Sequence, residues 1–114
     1  MIDLLTNDRF EIRNLQAFHR ELDREKGFDL DVFRNVAYLV EELGEVVSAA
    51  RQLQQARGLA EEEEARDRLG EELADCLAYL LKLANYTEID LQACYAKKMR
   101  RNVTRTWPKK PHDA

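Results

Sequence analysis

The spacing of apolar side chains is the feature that most constrains the fold of this chain. From residue 9 to residue 26, apolar residues such as Ile12, Leu15, Phe18 and Leu22 recur every three or four positions, which is the period of an amphipathic helix. Similar periodicity returns in three later stretches. The 114 residues include four Gly and two Pro, and strong helix formers dominate. The sequence therefore predicts an all-α protein.

The same pattern divides the chain into four predicted helices, and each has boundary signals in the sequence. The predicted ranges are 9–26, 31–57, 61–86 and 91–105. The signals are Thr6, Asn7 or Asp8 and then Gly27 for the first helix, Asp31 and Gly58 for the second, the acidic run 61–64 for the third, and Asp90 for the fourth. The apolar residues of the second helix cover more than one narrow stripe, which predicts neighbours on two of its sides.

Size and charge exclude several classes of protein. A chain of 114 residues with 45% apolar and 35% charged residues fits one compact domain. No apolar stretch approaches the ~20 residues of a membrane span, and the acidic first residues differ from a secretory signal, so we expect a cytoplasmic protein. A net charge of −4 argues against general nucleic-acid binding. Cys76 and Cys94 lie in apolar periodic segments and are predicted to be buried thiols rather than zinc ligands or a disulfide.

Four carboxylates fall on the apolar sides of two predicted helices. Glu42 and Glu45 are three residues apart on the second helix, and Glu72 and Asp75 have the same spacing on the third. No evenly spaced basic partners accompany them on these helices. Ionised carboxylates removed from water cost several kcal/mol each, so four gathered inside a bundle need protons, cations or a metal. Carboxylate ligands without His or Cys favour Mg²⁺ or Mn²⁺, which retain water positions that a phosphate substrate replaces.

The acidic residues also form a recognisable pattern. Glu41-Glu42-Leu43-Gly44-Glu45, followed by Glu72-Leu73-Ala74-Asp75, resembles the MazG-type all-α nucleoside triphosphate pyrophosphohydrolases, whose signature is Glu-Glu-x-x-Glu and then Glu-x-x-Asp. The resemblance continues through 75–85 and 89–91 to a Lys-Met-x-x-Asn-x-x-Arg stretch at 98–105. It covers about 12–107, so we interpret 1–114 as a single MazG-like domain in which 108–114 is a tail.

The resemblance implies an activity and a set of catalytic residues. The fold would be a four-helix, bundle-type domain completed by dimerisation, as a homodimer or homotetramer. The reaction would be Mg²⁺-dependent attack of water on the α-phosphorus of a (d)NTP, releasing pyrophosphate and a monophosphate, in house-cleaning or nucleotide-pool control. Glu42, Glu45, Glu72 and Asp75 would bind the metal. Glu41 would orient or deprotonate the water, although Glu71 occupies the equivalent edge of the third helix.

Further residues are candidates for contact with the nucleotide. The segment from Tyr95 to Lys110 has seven basic residues and no acid. Within this segment Lys98, Asn102 and Arg105 have i, i+4, i+7 spacing, which predicts that they share one helical face that binds phosphates and sugar. The alternative is a basic helix end that complements its own dipole. Tyr79 would stack on the base or contact the sugar, or is an ordinary core aromatic. The candidate substrate-binding residues are Gln16, Phe28, Tyr79, Asn85, Lys98, Asn102 and Arg105.

The pattern leaves the substrate open. Relatives specialised for dCTP have a His at the position of Gln16 and a Trp near Gln52, so a cytosine preference is not carried over. Phosphoribosyl-ATP pyrophosphohydrolases have a similar acidic helical site and are an alternative. A second alternative is a non-catalytic helical interaction module, in which the acids are solvated and the second helix mediates self-association.

Overall fold

The computed structural model describes residues 11–106 and Pro108, and the described residues form helices without strands. The four helices are α1 (Ile12–Lys26), α2 (Val32–Ala56), α3 (Glu62–Tyr86) and α4 (Leu91–Val103). The all-α prediction is confirmed, and so are the number and order of the helices within these residues. No helix among them is long and apolar enough to span a membrane.

Local sequence signals explain most of the helix boundaries. Gly27 ends α1 in the left-handed region with φ 66°, where a residue without Cβ is least strained. The Asp31 carboxylate caps α2 by accepting the backbone N–H of Arg34 at 2.8 Å. Asp90 caps α4 in the same way by accepting the N–H of Ala93 at 3.2 Å. These three predicted signals are confirmed.

Two predicted boundaries need comment. Helix α1 begins at Ile12, whereas the N-cap candidates Thr6, Asn7 and Asp8 lie outside the described residues. The last helix is predicted to end at about Arg105, and α4 ends slightly earlier, at Val103. Thr104 donates both its backbone N–H and its hydroxyl to the carbonyl of Arg101, at 3.2 and 2.8 Å, and these short-range bonds close the last turn.

The helices α2 and α3 pack along each other and run in opposite directions. Tyr38 faces Tyr79 near one end of the pair, and Glu45 faces Arg68 nearer the other. The face between them is lined by small residues, and Ala49 and Ala65 are almost fully buried. Helix α1 packs on α3, and it also holds the start of α4. This arrangement brings the two acidic signatures, one on α2 and one on α3, to the same level of the pair.

Much apolar surface is uncovered in the single chain. Few apolar side chains are buried, and Leu81 is the largest of them. The two long helices instead expose large apolar residues, namely Phe33, Val36, Val40, Leu43, Val47, Leu73, Leu77 and Leu80. Cys76 is buried as predicted, but the prediction for Cys94 is wrong, because this thiol is exposed. Helix α4 contributes no buried residue to the described fold, so its apolar residues gain little cover.

Candidate metal centre

Three carboxylates of the acidic signatures converge between α2 and α3. One oxygen each of Glu42, Glu72 and Asp75 lies within 4.8 Å of the other two. Glu72 and Asp75 face the same way because they are three residues apart on α3, and the antiparallel packing places Glu42 opposite them. Oxygens on opposite sides of a bound Mg²⁺ lie about 4 Å apart, so three carboxylate oxygens this close together could serve as ligands of a divalent ion.

The environment of Glu42 fits a cation. Its side chain is half-buried, and Oε2 is buried without a hydrogen-bond partner among the described residues. Burial raises the pKa of Glu42, and contact with the Glu72 carboxylate and the negative charge of Asp75 raise it further. A divalent ion would supply the missing partner and offset the repulsion among the three acids. The residues present therefore fit the metal that the sequence predicts.

The fourth predicted ligand lies outside this cluster. Glu45 accepts a hydrogen bond from Arg68, whose Nη2 is 3.2 Å from Glu45 Oε2, and its side chain is 56% exposed. The Arg68 Nη1 donates to Gln52 Oε1 at 2.6 Å. The expectation of four buried acids without basic partners is wrong here, because Arg68 reaches across from α3 to Glu45. Asp75 is also exposed rather than buried.

The two candidates for the catalytic base lie at the outer edges of the cluster. Glu41 precedes Glu42 on α2, and Glu71 precedes Glu72 on α3. Both are exposed, and neither belongs to the group of three converging carboxylates. Their exposure gives each access to water.

A cavity of about 470 Å³ opens beside the acidic cluster. Glu42 and Asp75 contribute to its wall, and so do the predicted nucleotide-binding residues Phe28 and Tyr79. The Tyr38 ring lies 6.1 Å from the Tyr79 ring, tilted by 47°. The complete wall consists of His19, Leu22, Asp23, Phe28, Asp29, Asn35, Tyr38, Glu42, Asp75, Ala78, Tyr79 and Lys82. Aromatic rings next to carboxylates that could hold a divalent ion suit a nucleotide, which combines a flat base with phosphates.

The family of this chain follows from a match to the sequence model of a known domain. Residues 31–107 match the model of the MazG nucleotide pyrophosphohydrolase domain. The chain belongs to the MazG family. The match includes both acidic signatures, and MazG enzymes generally depend on divalent metals, in agreement with the cluster. Searches of curated proteins and of solved structures gave no match.

The remaining predicted substrate contacts do not line this cavity of the MazG domain. Gln16 donates to Asn85 Oδ1 at 3.1 Å, and the Asn85 amide donates back to the Gln16 carbonyl at 2.9 Å. Gln16 Oε1 also accepts the N–H of Leu91 at 3.0 Å, so its side chain joins α1 to the start of α4. Lys98 and Asn102 lie on α4, and Arg105 lies beyond its end. The prediction of a helical face shared by all three is therefore wrong for Arg105.

Sequence reasoning missed a buried ion pair in the cavity wall. Lys82 Nζ lies 3.4 Å from Asp23 Oδ1, and the two side chains are only 13% and 4% exposed. Tyr86 donates to the other Asp23 oxygen at 2.5 Å, and burial, reinforced by this carboxylate, raises the pKa of the Tyr86 hydroxyl. Lys82 and Tyr86 follow Asp75 at helical spacing and share its face of α3, but nothing in the sequence marks Asp23 of α1 as their partner.

Proposed function

We propose that this MazG protein hydrolyses a (d)NTP to the (d)NMP and pyrophosphate with Mg²⁺, or Mn²⁺ in its place. The observation that carries the proposal is the convergence of Glu42, Glu72 and Asp75 around a buried, unpartnered carboxylate oxygen at the wall of an aromatic-lined cavity. Family membership supplies the reaction type. The cavity supplies the space for a nucleoside next to the acidic cluster.

The three carboxylates would hold the ion, and Glu45 would join them after release from Arg68. When bound, the ion neutralises phosphate charge and increases the acidity of water. Glu41, which is exposed and adjacent to Glu42, would accept a proton from the attacking water. The water oxygen forms a bond to the α-phosphorus while the bond to the pyrophosphate oxygen breaks. Glu71 is the alternative proton acceptor.

The cavity would hold the nucleoside. Phe28 and Tyr79 would pack against the base, since both rings belong to the wall that Asp75 shares. Gln16 and Asn85 would act indirectly, by fixing α1 against the end of α3 through their mutual hydrogen bonds. The substrate would thus lie between the acidic cluster, the last turns of α1 and the first turns of α2.

The protein would work as a homodimer or homotetramer. The exposed apolar residues of α2 and α3 form more apolar surface than a stable monomer leaves uncovered. Because Lys98, Asn102 and Arg105 do not line the cavity of their own chain, a second subunit would bring them to the phosphates. The oligomer would act in the cytoplasm in house-cleaning or nucleotide-pool control.

The test is product analysis with a panel of dNTPs and NTPs, and with phosphoribosyl-ATP, in the presence of Mg²⁺. We expect pyrophosphate and a monophosphate from the nucleoside triphosphates, and a loss of at least about 100-fold in Glu72→Gln with unchanged helical content. Glu63→Gln, an exposed acid on the first turn of α3, is the matched control. Release of orthophosphate, or full activity in Glu72→Gln, would contradict the proposal.

A further inference from the structure

The described residues of the cavity wall include one cationic side chain and four acidic ones. Lys82 is that cation, while Asp23, Asp29, Glu42 and Asp75 are the acids. An ammonium group has three N–H donors and no acceptor. The Asp23 carboxylate forms an ion pair with Lys82, with Oδ1 3.4 Å from Nζ. The Phe28 and Tyr79 ring centroids, 4.8 and 5.2 Å away, attract the ammonium but offer no oxygen or nitrogen acceptor.

The Lys82 side chain is held in place before any ligand arrives. Asp23 anchors it from α1, and the Tyr86 hydroxyl fixes the second oxygen of the same carboxylate at 2.5 Å. The rings of Phe28 and Tyr79 confine the ammonium further. A donor that is fixed and mostly shielded from water discriminates between ligands more sharply than a mobile surface lysine does.

The position of Lys82 along α3 corresponds to the base end of a nucleotide. Lys82 is seven residues after Asp75, which is two turns and about 10 Å along the same helix face. Tyr79 lies between them on that face. With the phosphates at the acidic cluster, the base would pack against Tyr79 and its edge would reach Lys82. This orientation rests on the proposed function.

We propose that Lys82 determines base specificity by donating an N–H to a carbonyl oxygen of the base. The preferred substrates are nucleotides whose base carries a carbonyl where adenine and cytosine carry an amino group, namely those of hypoxanthine, guanine, uracil and thymine. An amino group presents hydrogens to the ammonium, so donor faces donor and the Lys82 N–H loses its acceptor. A carbonyl oxygen gives a charge-assisted hydrogen bond instead.

The test uses two pairs of nucleotides that differ at this position of the base: inosine triphosphate against ATP, and dUTP against dCTP. Within each pair the sugar and the phosphates are identical. We expect the wild type to favour the carbonyl member by about tenfold or more in kcat/KM. Lys82→Met should bring both ratios close to one, while Lys26→Met, at an exposed lysine on α1, should leave them unchanged. A general loss of stability would slow both members equally and would not move the ratios.

Binding of the corresponding α,β-methylene triphosphates, measured by calorimetry, separates this inference from the proposed reaction. If the analogues with a carbonyl-bearing base bind more tightly but the natural triphosphates are not hydrolysed, the role of Lys82 would be supported and the proposed function overturned. Turnover with wild-type ratios of one or below, or with ratios unchanged in Lys82→Met, would overturn the role of Lys82 and leave the proposed function standing. If Lys82→Met does not fold, the wild-type ratios decide.

Discussion

Arg68 on α3 donates to Glu45 on α2, with Nη2 3.2 Å from Oε2. The second guanidinium nitrogen donates to Gln52 at 2.6 Å, so the arginine is held at both ends of its fork. Glu45 belongs to the Glu-Glu-x-x-Glu signature, yet its carboxylate is paired with an arginine of the facing helix. A divalent ion would therefore compete with Arg68 for this carboxylate.

Removal of Arg68 should strengthen metal binding. We expect Arg68→Gln to bind Mn²⁺ several-fold more tightly than the wild type in calorimetric titration, because Glu45 is then free to join the other three acids. Arg66→Gln is the control, since Arg66 pairs with Glu62 at the exposed start of α3, away from the cluster. Unchanged or weaker Mn²⁺ binding in Arg68→Gln would show that Glu45 does not ligate the ion.

The hydrogen bond between Tyr86 and Asp23 should contribute measurably to stability. Tyr86→Phe removes a donor from a carboxylate that is 4% exposed, so we expect the free energy of unfolding to fall by about 1.5–3 kcal/mol in urea denaturation. Tyr95 is an exposed residue of α4, so Tyr95→Phe should change the free energy of unfolding by less than about 0.5 kcal/mol. Equal effects of the two substitutions would contradict the assignment.

His19 should make the stability of the protein depend on pH. Burial lowers the pKa of His19 below its ordinary value of 6.5, against a smaller opposing influence of the Asp23 carboxylate. Because the pKa is lower in the folded state, neutral His19 favours the folded protein. Its contribution to stability is present above pH 6.5 and is lost as the pH falls through the folded-state pKa. Between pH 7.5 and 5.5, the wild type should lose more stability than His19→Gln in metal-free buffer. Parallel losses would show that His19 does not titrate as its burial requires.

The pKa of Glu42 is raised, whereas that of His19 is lowered, so both residues make stability depend on pH. A comparison with a His19 variant is needed to separate the two effects. Its pKa is raised above 4.5 by burial first and then by Glu72 and Asp75, so its contribution to stability is lost as the pH rises through the folded-state value. The wild type and His19→Gln both contain Glu42, so its effect on stability is the same in the two proteins. The difference between the two proteins therefore isolates His19.

The apolar face of α2 should mediate self-association. Val40, Leu43 and Val47 share one side of the helix and are 61%, 50% and 59% exposed. We expect Val47→Glu to reduce the molar mass in light scattering to that of the 13.3 kDa monomer, because it places a charge in this patch. Ser48→Glu adds the same charge at the neighbouring exposed residue and should leave the oligomer intact. A wild type that is monomeric in light scattering would contradict the proposed self-association.

The sequence predicted what local interactions decide. Helix order, the Gly27 stop and the caps at Asp31 and Asp90 depend on neighbours within a few residues, and the structure bears them out. The i, i+3 spacing of Glu72 and Asp75 likewise brought these acids together on α3. Their meeting with Glu42 followed once α2 and α3 packed as neighbours.

Contacts between distant residues were beyond this reasoning. The pairing of Glu45 with Arg68 joins residues 23 positions apart, and that of Gln16 with Asn85 joins residues 69 apart. Both depend on the rotation of one helix against another, which periodicity does not specify. Lys82 has the appearance of a surface lysine in the sequence, and only the packing of α1 on α3 reveals its buried partner Asp23.

On our proposal, Glu42, Glu72 and Asp75 hold a divalent ion. Crystals grown with Mn²⁺ and measured by anomalous diffraction test it directly, because the metal is then located by its own scattering. We predict an anomalous peak between α2 and α3 at bonding distance from all three carboxylates. Mn²⁺-saturated crystals in which this position has no peak, with the three acids turned apart into solvent, would contradict the account.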